Sequence, residues 1–123
     1  MKIGLEKLGI PKKVKEALKE LVERLEAVFG EDYSLYLFGS YARGDWVEGL
    51  SDIDIVVVSP KFRDTPPTER AAIVRKLARR DTPFEILCYT PEELKQLIKT
   101  SKFIEEISRS VSYTHLRAHE TVL

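Results

Sequence analysis

The feature that most constrains this chain is the aliphatic run over residues 51–59, which carries Asp52 and Asp54. Its isoleucines and valines are β-branched, and such residues favour a strand. Side chains alternate between the faces of a strand, so the two aspartates point to one side, with Cα atoms about 6.6 Å apart. Carboxylates this close repel each other. The run therefore predicts a strand that begins with two like charges, at a cost in stability.

Segments typical of helices and strands alternate around this run. Apolar residues recur at three- and four-residue spacing over residues 11–29, which predicts an amphipathic helix with Pro11 at its first position and Gly30 as its C-cap. Thr-Pro-Glu-Glu at 90–93 predicts a capping box. The predicted order is helix 11–29, strand 33–38, short helix or loop 39–44, strand 51–59, loop 60–67, helix 68–80, strand 84–89 and a last helix that reaches Ile107.

This alternation predicts an α/β (α+β) domain in which helices flank a small mixed sheet of three, or four, strands. The chain has 123 residues, enough for one domain, which we place at residues 1–110. Segment 111–123 lacks periodicity and looks like translated vector or adapter sequence. We expect it to be non-native or disordered, although a natural frayed terminus is an alternative. It contains both histidines, His115 and His119, which we exclude from the site.

Composition narrows the class of protein. Twenty basic residues offset twenty acidic ones, so net charge does not indicate DNA or membrane binding. Basic pairs such as Arg75-Lys76 and Arg79-Arg80 could form contact patches, but solvated helix faces are the simpler interpretation. A single cysteine, Cys88, excludes an intrachain disulfide and fits a cytoplasmic protein. No apolar stretch approaches the roughly 20 residues that span a bilayer.

A carboxylate cluster is the first part of the predicted site. A divalent cation between Asp52 and Asp54 would remove their repulsion, and Mg²⁺ prefers such oxygen ligands. Glu85 is the only charged residue in its strand, and it joins the cluster if that strand lies beside residues 51–59. Solvated acids, or acids paired with arginines, are the alternative for the aspartates. For Glu85 the alternative is an ion pair with Arg79, Arg80 or Lys61.

A glycine-serine turn is the second part. Gly39 and Ser40 follow a predicted strand and open a short helix. Glycine permits a sharp bend and close backbone approach. A serine cap and the first helical N–H groups favour anions, and Arg43 could add a contact to a phosphate. Such a turn alone is weak evidence, but eleven residues separate it from Asp52-Ile53-Asp54, and that combination is specific.

The string GSYARGDWVEGLSDIDIVVVS resembles the signature of the DNA polymerase beta-like nucleotidyltransferase superfamily, in its minimal single-domain branch. The resemblance covers residues 35–89 by motif and extends to about residue 107 by element order. It implies that Asp52 and Asp54 bind Mg²⁺ (Mn²⁺ is an alternative) at a two-metal site, with Glu85 as the third acid. It also implies that Gly39 and Ser40 hold the triphosphate.

The resemblance further implies transfer of a nucleoside monophosphate from an NTP, with ATP as the expected donor, to a hydroxyl acceptor. Members of the minimal branch are often encoded beside a HEPN-domain protein and act as antitoxins, so a HEPN-type toxin is the implied partner. The alternatives are transfer to a small molecule or an RNA end, and an antitoxin that acts by contact alone. Homo-oligomer formation stays open.

Overall fold

The computed structural model describes residues 9–100 and 111–112. Its elements follow the predicted order, with one short 3₁₀ helix in the segment predicted as a loop. They are α1 Lys12–Phe29, β1 Ser34–Phe38, α2 Gly39–Arg43, β2 Ile53–Val58, the 3₁₀ helix Pro60–Asp64, α3 Pro67–Leu77, β3 Phe84–Tyr89, α4 Pro91–Thr100 and β4 Val111–Ser112. The predicted α/β architecture, a small mixed sheet flanked by helices, is confirmed.

The strands are ordered β3-β2-β1-β4. β1 runs antiparallel to β2, with Phe38 opposite Asp54. β3 runs parallel to β2, with Glu85 opposite Asp54. The carboxyl end of β1 therefore meets the amino ends of β2 and β3 at one edge of the sheet. The turn that follows β1 thus lies beside the acidic residues of the two other strands.

The two faces of the sheet are covered differently. One face, which we call the covered face, carries Ile53, Ile55 and Val57 and packs against α1 and Val74 of α3 in the main core. The opposite face, which we call the site face, carries Asp54, Val56 and Val58. There a smaller cluster joins Val56 and Val58 to Tyr36 and Leu94, with Ile98 packed against it. The period-two alternation predicted for β2 thus sends Asp54 to one face and its neighbours Ile53 and Ile55 to the other.

Local signals set the helix ends. Gly30 ends α1 with a positive φ of 63° and donates its N–H to Glu26, as predicted for a C-cap. Pro11 is the residue before the first helical position rather than that position itself. The predicted capping box of α4 is confirmed: Thr90 Oγ1 accepts from the N–H of Glu93, and the Glu93 carboxylate accepts from the N–H of Thr90.

Helix α3 does not follow the usual division of an amphipathic helix into an apolar buried face and a charged exposed face. Ala71, Ala72 and Ile73 are exposed. Arg70 is only 4% exposed. The burial of Arg70 is possible because its guanidinium donates to the carbonyl of Thr65 and pairs with the Glu93 carboxylate. A buried charge that is fully paired and hydrogen-bonded can be tolerated in a core.

The C-terminal predictions are only partly covered by the structure. The last helix is described as far as Thr100, and its predicted continuation to Ile107 lies outside the described residues, as do the histidines at 115 and 119. The first two residues of the expected tail, Val111 and Ser112, pair with Leu37 and Tyr36 as β4. That segment 111–123 is foreign stays a prediction. Within the described ranges, no helix is long and apolar enough to cross a bilayer.

Candidate active site

Two of the three predicted acids, Asp54 and Glu85, lie opposite each other at the amino ends of β2 and β3. Asp54 is the second residue of β2, is partly buried, and stands between Phe38 and Glu85 in the sheet register. Glu85 is exposed on the edge strand, and none of the ion pairs found within the described ranges involves it. Asp52 is exposed and lies one residue before β2 begins, rather than inside the strand as predicted.

Gly39 makes room for the central carboxylate. Its φ is +72°, a backbone conformation that side chains with a Cβ rarely adopt. A Cβ built on Gly39 would lie 2.1 Å from Oδ2 and 3.0 Å from Cγ of Asp54, which no real contact allows. The predicted close backbone approach is therefore present, and the group that approaches the backbone is the carboxylate of Asp54. Glycine at this position is what allows β1 to turn directly against that carboxylate.

The electrostatics of the cluster centre on Asp54. Burial raises the pKa of Asp54 to about 6, with further increases from the charge and hydrogen bond of Glu85 and the charge of Asp52. Arg43 opposes this increase in pKa. A carboxyl that shares a hydrogen bond with a second carboxyl keeps a proton more readily, because two adjacent anions repel. The cluster therefore stores like-charge repulsion that a cation would relieve.

The donor set suits a hard divalent cation. Mg²⁺ takes oxygen ligands, commonly one or two carboxylates completed by water and substrate phosphate oxygens. Asp54 and Glu85 provide two carboxyls in direct contact, and Asp52 lies close enough to affect the pKa of Asp54. With the side chains as they stand in residues 9–100 and 111–112, no group of three His, Cys, Asp or Glu forms a ready metal cage. The arrangement thus fits a cation shared between two protein carboxylates and a substrate.

The serine of the turn has a different position from the one predicted. The N-cap of α2 is Phe38, and no side chain caps this helix end. Ser40 is the second helical residue and is half-buried, so the expected serine cap is wrong. The extended backbone at Phe38 and the positive φ of Gly39 shift the helix start by two residues. As a result, the Ser40 hydroxyl does not cap the helix. Ser40 directly follows Gly39, whose backbone lies against the Asp54 carboxylate.

The end of α2 holds the remaining predicted residue. Arg43 closes α2, and Gly44 follows in the left-handed region with its N–H donated to Ser40. The Arg43 guanidinium pairs with Asp45 at 3.3 Å on an exposed surface. Its effect on the pKa of Asp54 shows that it lies near the carboxylates. The structure thus brings Gly39, Arg43, Asp54 and Glu85 to one edge of the sheet, with Ser40 beside them.

Sequence reasoning did not single out two aromatic residues beside this cluster. Tyr41 of α2 is 6% exposed and stacks on Trp46, with ring centroids 5.7 Å apart and planes 15° apart. Burial, followed by the charges of Glu48 and Asp52, raises the pKa of the Tyr41 hydroxyl. Tyr41 also lines a cavity of about 260 Å³ with Glu48 and Ser51. The stack fixes the loop that joins α2 to β2, and an aromatic pair five positions apart was the available signal.

Cys88, the single cysteine of the chain, lies at the other end of β3. Burial raises the pKa of its thiol to about 12, and Arg70 only partly opposes this. A thiol of such high pKa is protonated at neutral pH, so it is a poor nucleophile.

Comparisons with known proteins agree with this architecture. The profile of a family described as "Nucleotidyltransferase domain" matches residues 12–113. Two similar proteins of Methanocaldococcus jannaschii are each named "Putative protein adenylyltransferase". One is 34% identical over 95 residues, 75% of this chain and 89% of that protein. The other is 50% identical over 44 residues, 35% of this chain and 43% of that protein.

Two solved structures are also similar. A crystal structure from Sulfolobus solfataricus, described as a putative nucleotidyltransferase, aligns with a TM-score of 0.58 at 24% identity, covering 86% of this chain and 90% of that one. This likeness concerns the fold. A second crystal structure with the same description aligns with a TM-score of 0.50 at 34% identity, covering 69% of this chain and 90% of that one.

Proposed function

The chain belongs to the nucleotidyltransferase domain family and is a nucleotidyltransferase, and from this premise we propose that it transfers AMP from ATP to a hydroxyl group of a protein. The choice of AMP and of a protein acceptor is supported by the two relatives that bear the name of protein adenylyltransferase. One of them is matched over 89% of its length, so the likeness extends over nearly the whole of that relative.

One observation carries the proposal: the carboxylate of Asp54 lies directly against the Gly39 backbone and beside Glu85. Phosphoryl transfer needs little covalent chemistry from the protein, and depends on positioning phosphates and neutralising their charge. Here a turn that permits close backbone approach and a cluster of carboxylates share one edge of the sheet. A nucleoside triphosphate held by the turn would place its phosphates next to that cluster.

We assign the residues as follows. Asp52, Asp54 and Glu85 would hold Mg²⁺, or Mn²⁺, which when bound supplies charge neutralisation at the reacting phosphate. Ser40 and the backbone of the turn would hold the triphosphate, and Arg43 would contact a phosphate oxygen by a charge-assisted hydrogen bond. Glu85, which is exposed, would accept the proton of the acceptor hydroxyl, or the hydroxyl would be deprotonated at the metal.

The partner is proposed from the sequence resemblance to the minimal branch. A HEPN-domain toxin encoded nearby would be the acceptor, and its modification would give the enzyme an antitoxin role. The described residues form the nucleotidyltransferase core, and the acceptor hydroxyl would be brought to it by that partner. This proposal places the protein in a reducing cytoplasm, where its single thiol would stay free.

Incubation with α-³²P-labelled ATP and Mg²⁺, with and without the HEPN-domain protein of the same genome, tests the function. Label on the partner supports it, and omission of the metal should abolish labelling. Asp54→Asn should reduce labelling by at least about a hundredfold, because it removes a negative charge at the centre of the cluster. Asp64→Asn, at an exposed acid of the 3₁₀ helix, is the matched control.

Three outcomes would contradict this function. Label on a small molecule or an RNA end would change the acceptor class. Equal labelling by the wild type and Asp54→Asn would remove the carboxylate cluster from the reaction. Neutralisation of the toxin by Asp54→Asn as fully as by the wild type would indicate inhibition by contact alone.

A further inference from the structure

A groove between α1 and the turn that joins α3 to β3 concentrates positive charge. Its volume is about 840 Å³. It is lined by five cationic and two acidic side chains together with Ala78: Arg24, Arg75, Lys76, Arg79, Arg80, Glu20 and Asp81. The groove therefore carries three net positive charges, whereas the whole chain has equal numbers of basic and acidic residues. We call this surface the basic groove.

Three of its guanidinium groups are held in place. The Glu20 carboxylate pairs with Arg24 at 2.7 Å and with Arg79 at 3.0 Å. Arg24 also donates to the carbonyl of Leu77, which is an otherwise open carbonyl at the end of α3. Arg75 donates to the carbonyl of Phe84. Fixed guanidinium groups lose little conformational freedom when they bind a carboxylate, which favours binding.

Two further cations of the basic groove have no such structural task. Lys76 and Arg80 are exposed, and no ion pair found among residues 9–100 and 111–112 includes either of them. Ile73 precedes Lys76 by three positions on α3, so the two adjoin on the helix surface, and Ile73 is 37% exposed. An aliphatic residue next to exposed cations is a surface suited to a protein partner.

The basic groove adjoins the candidate active site. Arg75 bonds to Phe84, the residue directly before Glu85. Asp81 lines both this groove and the smaller cavity next to Tyr41. The carbonyl of Pro83, in the same turn, accepts from the N–H of Ile53 at the start of β2. A macromolecule bound along the groove would therefore have a neighbouring segment at the carboxylate cluster.

We propose that the basic groove docks an acidic segment of the acceptor protein, so that a hydroxyl-bearing residue of that protein reaches the carboxylate cluster. This inference rests on the proposed function for the identity of the acceptor. A protein fits better than a nucleic acid, because no aromatic side chain that could stack on a base lines the groove among the residues that the structure describes.

The test measures binding without ATP, with a fluorescein-labelled copolymer of glutamate and tyrosine as the probe. The wild type should bind this copolymer at low salt and should not bind a copolymer of lysine and tyrosine. Lys76→Glu/Arg80→Glu should weaken binding by about tenfold or more, because two attractive charges become repulsive. Lys95→Glu/Lys99→Glu on α4 makes the same change in net charge at the same spacing, and it should alter binding by less than about twofold.

Several results would overturn the docking proposal. These are absence of binding by the wild type, equal loss in both charge-reversed variants, or tighter binding of single-stranded RNA that is lost in Lys76→Glu/Arg80→Glu. If charge reversal prevents folding, Lys76→Gln/Arg80→Gln should still show a smaller loss of binding. Because copolymer binding is read without ATP, a HEPN-domain partner that receives no AMP while the copolymer still binds would count against the proposed function and not against docking.

Discussion

The two ends of the parallel pair β2 and β3 treat charge in opposite ways. At the amino ends, Asp54 faces Glu85, whose charge and hydrogen bond add to the effect of burial and raise the pKa of Asp54. At the carboxyl ends, buried Arg70 pairs with Glu93 at 2.5 Å and stacks over Phe62. We call the amino end, where like charges repel, the repulsive end, and the carboxyl end, where opposite charges pair, the compensated end. The compensated end stabilises the fold. The repulsive end favours the binding of a cation that would relieve the repulsion.

The backbone accounts for this difference. At the carboxyl end, Ser59 is fully buried, donates its hydroxyl to the carbonyl of Asp32 and accepts from the N–H of Lys61. Thr90 closes the same end through the capping box of α4. Buried polar groups are normally satisfied in this way. At the amino end, the positive φ of Gly39 instead brings backbone against the Asp54 carboxylate, and Arg43 only partly opposes the rise in the pKa of that carboxyl.

Of the substitutions at the two ends, Gly39→Ala should have the largest effect. A Cβ here would meet Asp54 Oδ2 at 2.1 Å in a backbone conformation with φ of +72°. We expect AMP transfer to fall below detection and the free energy of unfolding to fall by about 3 kcal/mol, from backbone strain and displacement of the carboxylate. Labelling with ³²P and urea unfolding measure the two effects.

Gly30→Ala provides the matched control for that substitution. Gly30 has a comparable φ of +63°, but apart from its chain neighbours no atom of the described residues lies within 4 Å of the added Cβ. Its cost should be limited to about 1 kcal/mol of backbone strain, with AMP transfer retained. Equal losses of activity in the two variants would show that the contact with Asp54 is not what matters at Gly39.

The compensated end should respond in stability and not in catalysis. Arg70→Met keeps an aliphatic stem over Phe62 and removes the bonds to Thr65 and Glu93. We expect the free energy of unfolding to fall by about 2 kcal/mol, because a half-exposed Glu93 can regain water. AMP transfer, measured well below the unfolding midpoint, should change by less than about threefold.

Arg63→Met is the control for Arg70. Its guanidinium pairs with Glu92 on the surface, where 55% of the arginine side chain is exposed. Exposed pairs of this kind contribute little to stability, so no measurable change is expected. A loss from Arg63→Met as large as that from Arg70→Met would mean that burial is not what makes the compensated end stable.

The repulsive end predicts a pH dependence in metal-free protein. The pKa of Asp54 rises from 3.8 to about 6 on folding, so between these values the folded state holds a proton that the unfolded state has lost. Stability should therefore decline as pH rises from about 4 to above 6. Asp54→Asn lacks this decline and should be more stable than the wild type by about 1 kcal/mol at alkaline pH, after allowance for solvent screening.

Urea unfolding in EDTA over this pH range measures that difference, with Asp64→Asn as the control. Saturating Mg²⁺ should reduce or reverse the advantage of Asp54→Asn, because a bound cation removes the repulsion in the wild type. Parallel pH profiles for the wild type and Asp54→Asn would contradict the assignment of stored repulsion to Asp54.

Features of these two ends that depend on residues close together in the chain could be predicted from the sequence. The alternation of Asp54 and Ile55 between faces, and the capping box at Thr90 and Glu93, depend on neighbours within four positions. Both were predicted correctly. The prediction that Glu85 joins the cluster was conditional on its strand lying beside residues 51–59. In the sheet, β3 does pair with β2, and this places Glu85 opposite Asp54.

The departures arise where distant residues decide. Arg70 is buried because Glu93, 23 positions away, and Phe62 receive it, and no local pattern reports that. Ser40 does not cap α2 because the backbone at Phe38 and Gly39, set by contact with Asp54, starts the helix earlier. In both cases a tertiary contact overrides a local preference.

The smallest expected effect concerns the reactivity of Cys88 at the compensated end. Cys88 lies near the compensated end, where burial raises the pKa of its thiol to about 12, so at pH 8 its thiolate fraction should be about a thousandfold below that of an ordinary cysteine. Alkylation by iodoacetamide should therefore be slow in the folded protein and fast in urea, and Cys88→Ala should leave AMP transfer unchanged. Rapid alkylation of folded protein that also stops transfer would place a reactive group at the end of the strands that we describe as inert. This result would contradict the distinction between the two ends, because the end with paired charges would then also contain a reactive group needed for AMP transfer.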